Sequence, residues 1–296
     1  MRIGTRASAL ALAQARAVAR ALGEAGDVDV EIVEVTTLGD RGSAGAATDK
    51  ARWVSELERA LLDERIDVAV HSAKDLPTAL PDGLQLACLP PRADPRDALI
   101  GARSLATLAV GARVGTSSLR RAAQLRALRE DLNVVPIRGN VDTRLRKLAD
   151  GEADALVLAL AGLQRLGRGA EAGIALDELV PAAGQGALAL EAPVGTPHRQ
   201  LLASVGDVEA TACVAAERAL VHTLGATCDT PVGAHARLLG DGRISLIGWV
   251  GLPDGSAWLR DEVVGDRGVV GLQCAERMIA AGAAELLEKA AAETIP

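Results

Sequence analysis

The sequence predicts an α/β protein with largely parallel sheets, followed in its C-terminal third by a separate α+β domain. Three observations carry this. Short apolar runs alternate with helical patterns as far as Leu160. From about Asp207 the order changes to a helix, three strand candidates and one long helix. Proline pairs and a glycine-containing stretch fall between these blocks.

Taken in order, residues 9–22 have apolar groups at helical spacing, and residues 29–36 form the first apolar run. A second helix pattern covers 53–64. Runs at 66–71 and 84–89 follow, and Cys88 shares strand parity with Leu84 and Leu86. Pro90-Pro91 and Asp94-Pro95 interrupt the pattern and mark a connector. Strand candidates then stand at 112–115, 134–137 and 155–160, with helices at 118–129 and 141–149 between them. Thr116, Ser117 or Ser118 can cap the first of those two helices, and Asn140 the second. Residues 181–186 form a second connector. Beyond it, Gly240-Asp241-Gly242 and Pro253-Asp254-Gly255 separate the three late strands, and residues 269–292 read as one helix. No internal repeat is visible in the pattern.

Composition narrows the function. The 296 residues are 49% hydrophobic and 24% charged, ordinary for globular domains. A net charge of -7 and the absence of Phe and Tyr argue against general nucleic-acid binding. No apolar run approaches a membrane span, and the N-terminal residues lack the regions of a secretory signal, so a cytoplasmic protein without membrane attachment is expected. The four cysteines are widely spaced without a C-x-x-C pair, which indicates neither a zinc site nor a disulfide framework. No metal site is expected.

Charge is nevertheless uneven. Between Arg113 and Lys147 there is a local excess of six positive charges. A surface for a small polyanion is one reading, and a set of solvated helix faces is the other. Arg120 and Arg121 fall in the first turn of the 118–129 helix, where the macrodipole disfavours cations, so an anion is expected there. Arg138, Asn140 and Arg144 repeat the arrangement one helix later. At the end of the 66–71 run, His71, Ser72, Lys74 and Asp75 crowd four polar chemistries into one loop. They read either as a site or as a structural histidine beside a surface ion pair. Cys228 lies in a loop and is either a nucleophile or a packed thiol, whereas Cys88, Cys213 and Cys274 read as small core hydrophobes.

As a set the motifs resemble porphobilinogen deaminase (hydroxymethylbilane synthase). They are Arg2-Ile-Gly-Thr-Arg-Ala-Ser8, Val70-His-Ser-Ala-Lys-Asp75, Val114-Gly-Thr-Ser-Ser-Leu-Arg-Arg121 and Arg138-Gly-Asn-Val-Asp-Thr-Arg144. Four more follow: Leu160-Ala-Gly-Leu-Gln-Arg165, Pro181-Ala-Ala-Gly-Gln-Gly-Ala187, Ala216-Glu-Arg-Ala219 and the Cys228 loop. Eight in order over almost the full length make the resemblance specific.

The resemblance implies two similar periplasmic-binding-protein-like α/β domains plus a C-terminal α+β domain with a three-stranded antiparallel sheet. Their limits would be 1–91 with 186–204 returning, 94–183, and 207–296. It implies a monomeric transferase that joins four porphobilinogen molecules, releasing ammonia, onto a dipyrromethane held through a thioether on Cys228. Hydrolysis would then release hydroxymethylbilane. Asp75 matches the catalytic carboxylate; Ser72, Lys74, Thr116, Ser117, Ser118, Arg120, Arg121 and Arg144 match cofactor contacts. Arg6, Ser8, Arg138, Arg165 and Gln185 match substrate contacts. The chain departs from the family at residues 46–53, where glycines are missing and Trp53 replaces the usual Phe, and at Ala226-Thr227, where paired Gly is common. A cytosolic two-lobed polycarboxylate-binding protein would share the α/β pattern and the arginine-bearing helix starts, but would need neither Asp75 nor Cys228.

Overall fold

Arg2-Ile3-Gly4-Thr5 and Arg113-Val114-Gly115-Thr116 stand at the start of two sheets of the same design. In each, the arginine donates through its backbone N–H and its guanidinium to an aspartate just ahead of the neighbouring strand. Arg2 reaches Asp67 at 2.7 and 2.6 Å, and Arg113 reaches Asp154 at 2.7 and 2.7 Å. Glycine is required at the third position because of close approach. A Cβ on Gly4 would lie 2.2 Å from Ile66 Cδ1, and one on Gly115 would lie 2.6 Å from Ile137 and Leu156.

The computed structural model describes residues 1–36, 51–77, 79–226 and 230–294. Lys50 and Cys228 therefore lie outside the described residues, as does the side chain of Trp53. In chain order the elements begin with β1 (Arg2–Thr5), α1 (Ala9–Gly26), β2 (Glu31–Glu34), α2 (Ala51–Leu62), β3 (Val68–Ser72) and β4 (Leu84–Cys88). Next come β5 (Asp97–Ile100), β6 (Arg113–Gly115), α3 (Leu119–Leu128), β7 (Asn133–Val135), α4 (Val141–Ala149), β8 (Ala155–Ala159), α5 (Leu160–Arg165) and β9 (Ile174–Leu176). The chain ends with β10 (Leu188–Pro193), α6 (Arg199–Ser204), α7 (Val208–Thr223), β11 (Val232–Leu238), β12 (Ile244–Gly251), β13 (Trp258–Gly265), α8 (Val270–Ala280) and α9 (Ala283–Thr294).

Two compact units result, Met1–Ala93 with Gly186–Ala212, and Asp94–Gln185 with Cys213–Pro296. The first holds a sheet of order β2-β1-β3-β10-β4. On one face Ile3, Val68, Val70 and Leu190 pack with Val18 and Leu22 of α1 and Leu202 of α6; on the other, Leu57 and Leu61 of α2 cover Ala69 and Leu84. The second unit holds a sheet of order β7-β6-β8-β5-β9, with Leu125 of α3 among one core cluster and Leu145 of α4 among the other. It also holds the antiparallel sheet β11-β12-β13. Trp249 of β12 packs on Ala123 and Val180, joining that sheet to α3.

Several sequence expectations are corrected here. The five-stranded sheets are mixed rather than largely parallel. β1 pairs in parallel with β2 and β3, but β10 is antiparallel to β3 and β4. Likewise β6 is parallel to β7 and β8, but β5 is antiparallel to β8 and β9. Each antiparallel strand is the first one the chain forms after it passes from one unit to the other. The two orders are one topology used twice, so a structural repeat exists where the residue pattern showed none. The helix at 269–292 is two helices, broken at Gly282, whose φ of +100° suits glycine and ends α8. β1, β5, β9 and β10 were not expected. Three of these are only three or four residues long, and β10 carries a buried glutamate. No helix among the described residues is long and apolar enough to cross a membrane.

Candidate active site

In the first unit, β3 ends at Ser72 and continues into a single 3-10 turn, Ala73–Asp75. The β3–β10 register, His71 opposite Ala189 and Ser72 opposite Leu188, extends into this turn, because the Ala73 N–H donates to Ala187 O at 3.0 Å. Ala73 and Leu76 are buried and anchor it, leaving Ser72, Lys74 and Asp75 half-buried. The Asp75 carboxylate forms no hydrogen bond or ion pair among the described residues, so the bland surface pair of Lys74 with Asp75 does not form. His71 turns away from the group: it is buried, with Nε2 3.0 Å from Glu191 Oε2. Beyond β1, Ser8 caps α1 by accepting from the Ala11 N–H at 3.3 Å, and Arg6 is half-buried.

In the second unit, the anion expected at the start of α3 proves to be part of the chain itself. The Asp97 carboxylate, fully buried at the start of β5, receives Arg120 Nη2 at 2.8 Å on Oδ2 and Arg121 Nε at 2.9 Å on Oδ1. Arg120 also donates to Val180 O at 2.6 Å, and Arg121 to Val157 O at 3.3 Å. Both guanidiniums are almost completely buried and already share one carboxylate, which leaves the trio with a single net positive charge. Burial would raise the Asp97 carboxyl, but the two guanidiniums outweigh burial and hold it well below the usual carboxylate range. Its stabilisation is complete above the ordinary carboxylate value and is lost as pH falls through the depressed one. Asp97→Ala should cost about 3–5 kcal/mol in denaturant unfolding, since it strands two buried cations. A cost below about 1 kcal/mol would show that they find water instead.

Much of the basic excess is balanced in the same way: Asp97, Asp154 and Glu152, all outside the 113–147 stretch, take back half of it through Arg120, Arg121, Arg113 and Lys147. Part of what remains stands at the next helix start. Arg138 is exposed and meets no partner among the described residues. Asn140 caps α4 through the Thr143 N–H at 2.8 Å, and Arg144 Nε donates to Gly139 O at 2.7 Å. Burial, and then the like charge of Arg121, pull Arg144 below the usual guanidinium value, and burial brings Arg165 down to about 10. Arg138 and Arg144 are cations at a helix start that suits a negative ligand.

The hydroxyls ahead of α3 serve the backbone. Ser118 Oγ caps the helix by accepting from the Arg121 N–H at 3.4 Å, Thr116 Oγ1 accepts from the Ser118 N–H at 3.2 Å, and Ser117 Oγ donates to Ile137 O at 2.7 Å. Gln185, expected among the substrate contacts, is 1% exposed. Both its amide hydrogens are used, on Pro95 O at 2.7 Å and Asp97 Oδ1 at 2.8 Å, and Arg121 donates to its oxygen at 3.4 Å. It joins residues 95–97 to 185. Two further residues were given no role in the sequence. Gln124 holds Val180 through both its N–H and its carbonyl, and the buried Glu217 accepts from Gly184 N–H at 2.7 Å and Ala236 N–H at 2.8 Å. Glu217 stood in the sequence only within the Ala216-Glu-Arg-Ala219 motif.

Comparison with known proteins gives a consistent result. A family model described as porphobilinogen deaminase, dipyromethane cofactor binding domain, matches residues 1–198, and one for the porphobilinogen deaminase C-terminal domain matches residues 211–280. The porphobilinogen deaminase of Deinococcus deserti is 47% identical over 97% of this chain and 98% of its own. That of Sorangium cellulosum is 50% identical over 88% of this chain and 89% of its own. Solved structures similar to the chain include a nutrient binding protein from Burkholderia cenocepacia bound to methionine, with a TM-score of 0.44, 13% identity and coverage of 69% and 90%. Immunogenic lipoprotein A from Vibrio vulnificus is another, with a TM-score of 0.42, 14% identity and coverage of 69% and 94%.

Proposed function

The chain belongs to the porphobilinogen deaminase family, and from that premise we propose that it condenses four porphobilinogen molecules head to tail, with loss of ammonia, onto a dipyrromethane attached at Cys228, and releases hydroxymethylbilane by hydrolysis. The observation that carries the mechanism is the unpaired carboxylate of Asp75 on its anchored turn. As the amine leaves porphobilinogen, positive charge spreads over the pyrrole, and a fixed carboxylate lowers the energy of that charge while receiving pyrrole N–H groups. The same carboxylate is suited to take the proton lost from the attacked ring carbon. A non-catalytic polycarboxylate binder would need neither this group nor Cys228.

The residues present fit a dipyrromethane, whose two pyrroles each bring an acetate and a propionate. The buried Asp97 trio keeps one uncompensated positive charge, and Arg144 is held beside Arg121 against their mutual repulsion. Ser72, Lys74, Thr116, Ser117, Ser118, Arg120, Arg121 and Arg144 are assigned to the cofactor; Arg6, Ser8, Arg138 and Arg165 are assigned to the carboxylates of substrate and growing chain. When bound, the dipyrromethane supplies the electron-rich pyrrole carbon to which units are added. The protein is taken to work as a cytoplasmic monomer, independently of nucleic acid and membrane.

The reaction is tested by supplying porphobilinogen and following ammonia and linear tetrapyrrole, with the intact mass of the denatured protein expected to exceed the polypeptide by two pyrrole units. Bare polypeptide mass together with no ammonia release would overturn the proposal. Arg138→Leu should raise KM about tenfold or more, the scale of one charge-assisted hydrogen bond, with kcat less affected. Arg113→Leu, whose guanidinium is held by Asp154, should leave KM unchanged.

A further inference from the structure

We propose that Glu58, His71 and Glu191 form a buried proton-sharing cluster that fixes the turn carrying Asp75, with Glu58 as its protonated member. The three groups come from α2, β3 and β10 of the first unit, which pack against one another. Glu191 and the His71 ring are almost wholly buried, with Nε2 and Oε2 3.0 Å apart, and Glu58 is only 8% exposed. Glu58 Oε1 and Glu191 Oε1 are both buried without a hydrogen-bond partner among the described residues. Their surroundings are apolar: Leu57, Leu61, Ala69 and Leu84 form the same layer of the core.

Two ionised carboxylates in such a layer would repel each other and leave their lone oxygens uncompensated. A proton on Glu58 removes that repulsion. Among the described residues, the charged and titratable groups acting on Glu58 are Glu191 from β10 and His71 from β3; β1 and β4, which also pack on α2, contribute none. Burial above all, and then the charge of Glu191, push the Glu58 carboxyl up from its ordinary value, with His71 opposing only in part. Retention of the proton on Glu58 keeps Glu191 free to receive His71. That contact and the Ala73 N–H bond to Ala187 O grip the end of β3 immediately before Lys74 and Asp75. Glu191 and His71 act as positioning residues, since neither stands on the turn itself.

The role in catalysis rests on the reading of Asp75 given above, whereas the shared proton does not. A raised carboxyl makes the folded protein bind more protons than the unfolded one, so wild type loses stability as pH rises from the ordinary carboxylate value through the raised one. Gln imitates the protonated acid and does not titrate. In full-length holoenzyme, the Tm of Glu58→Gln should therefore gain on wild type as pH rises from the ordinary carboxylate value of about 4.5. Its kcat should stay within about threefold, whereas Glu191→Gln, folded by circular dichroism, should lose kcat about tenfold with KM within about twofold. A Tm difference that does not change with pH would overturn the shared proton, and wild-type kcat in Glu191→Gln would overturn the positioning role. Should Asp75→Asn turn over normally, the catalytic assignment fails while the Tm comparison still decides the proton.

Discussion

Cys228→Ser is expected to yield a folded protein with no covalent dipyrrole and negligible activity. A thioether needs a thiol that ionises or approaches its electrophile, and the other three cysteines are poor substitutes. Cys88, Cys213 and Cys274 are all buried, and burial pushes the Cys88 and Cys274 thiols up to about 11. Cys213 is 3% exposed inside α7. None can take over attachment without unpacking a core. Intact mass and circular dichroism check both halves of the expectation, with Cys88→Ala as the control that keeps the adduct. Normal activity in Cys228→Ser would end the covalent reading, and an unchanged mass adduct would move the attachment to another residue.

What the sequence made legible, and what it hid, follows from how far each interaction reaches along the chain. Capping is local: Ser118 and Asn140 act within three residues of themselves, so the helix starts at α3 and α4 could be read directly. The turn after β3 is local too, and Asp75 was visible as a polar cluster at a strand end. Asp97 was not, because it follows Asp94-Pro95-Arg96 and read as connector. Its role arises only when β5 lays it beside Arg120 and Arg121, 23 and 24 positions later. The anion predicted by the macrodipole argument was real, but the sequence offered no way to choose between a ligand and a distant aspartate. His71 and Glu191 lie 120 positions apart and are joined by antiparallel pairing that the expectation of parallel sheets excluded. A single glutamate inside the apolar run Leu188-Ala189-Leu190-Glu191-Ala192 was the available hint. The paired use of Arg-x-Gly-Thr escaped notice as a repeat because only these short segments, and not the packing residues between them, are alike.

Asp75→Asn should lower kcat by roughly a hundredfold or more, the effect of removing one electrostatic stabiliser from a developing charge. The substitution keeps size and shape. Since the wild-type carboxylate has no protein partner among the described residues, the amide leaves no buried cation stranded, and the fold should be unaffected. This contrasts with Asp97→Ala, where loss of an aspartate is a loss of stability. Carboxylate contacts from substrate should persist, so KM should move little, which is the signature of an interaction made chiefly in the transition state. Protein loaded from preassembled linear tetrapyrrole would show the defect free of any failure to build the cofactor. Asp75→Glu retains the charge about one methylene out of place and should keep partial activity, with chain-extension species accumulating that native mass spectrometry can count. Wild-type turnover in Asp75→Asn would remove the charge-stabilising role, because no other carboxylate of that turn could supply it: Ser72, Ala73 and Lys74 carry none, and the next acidic group in the chain is Asp82.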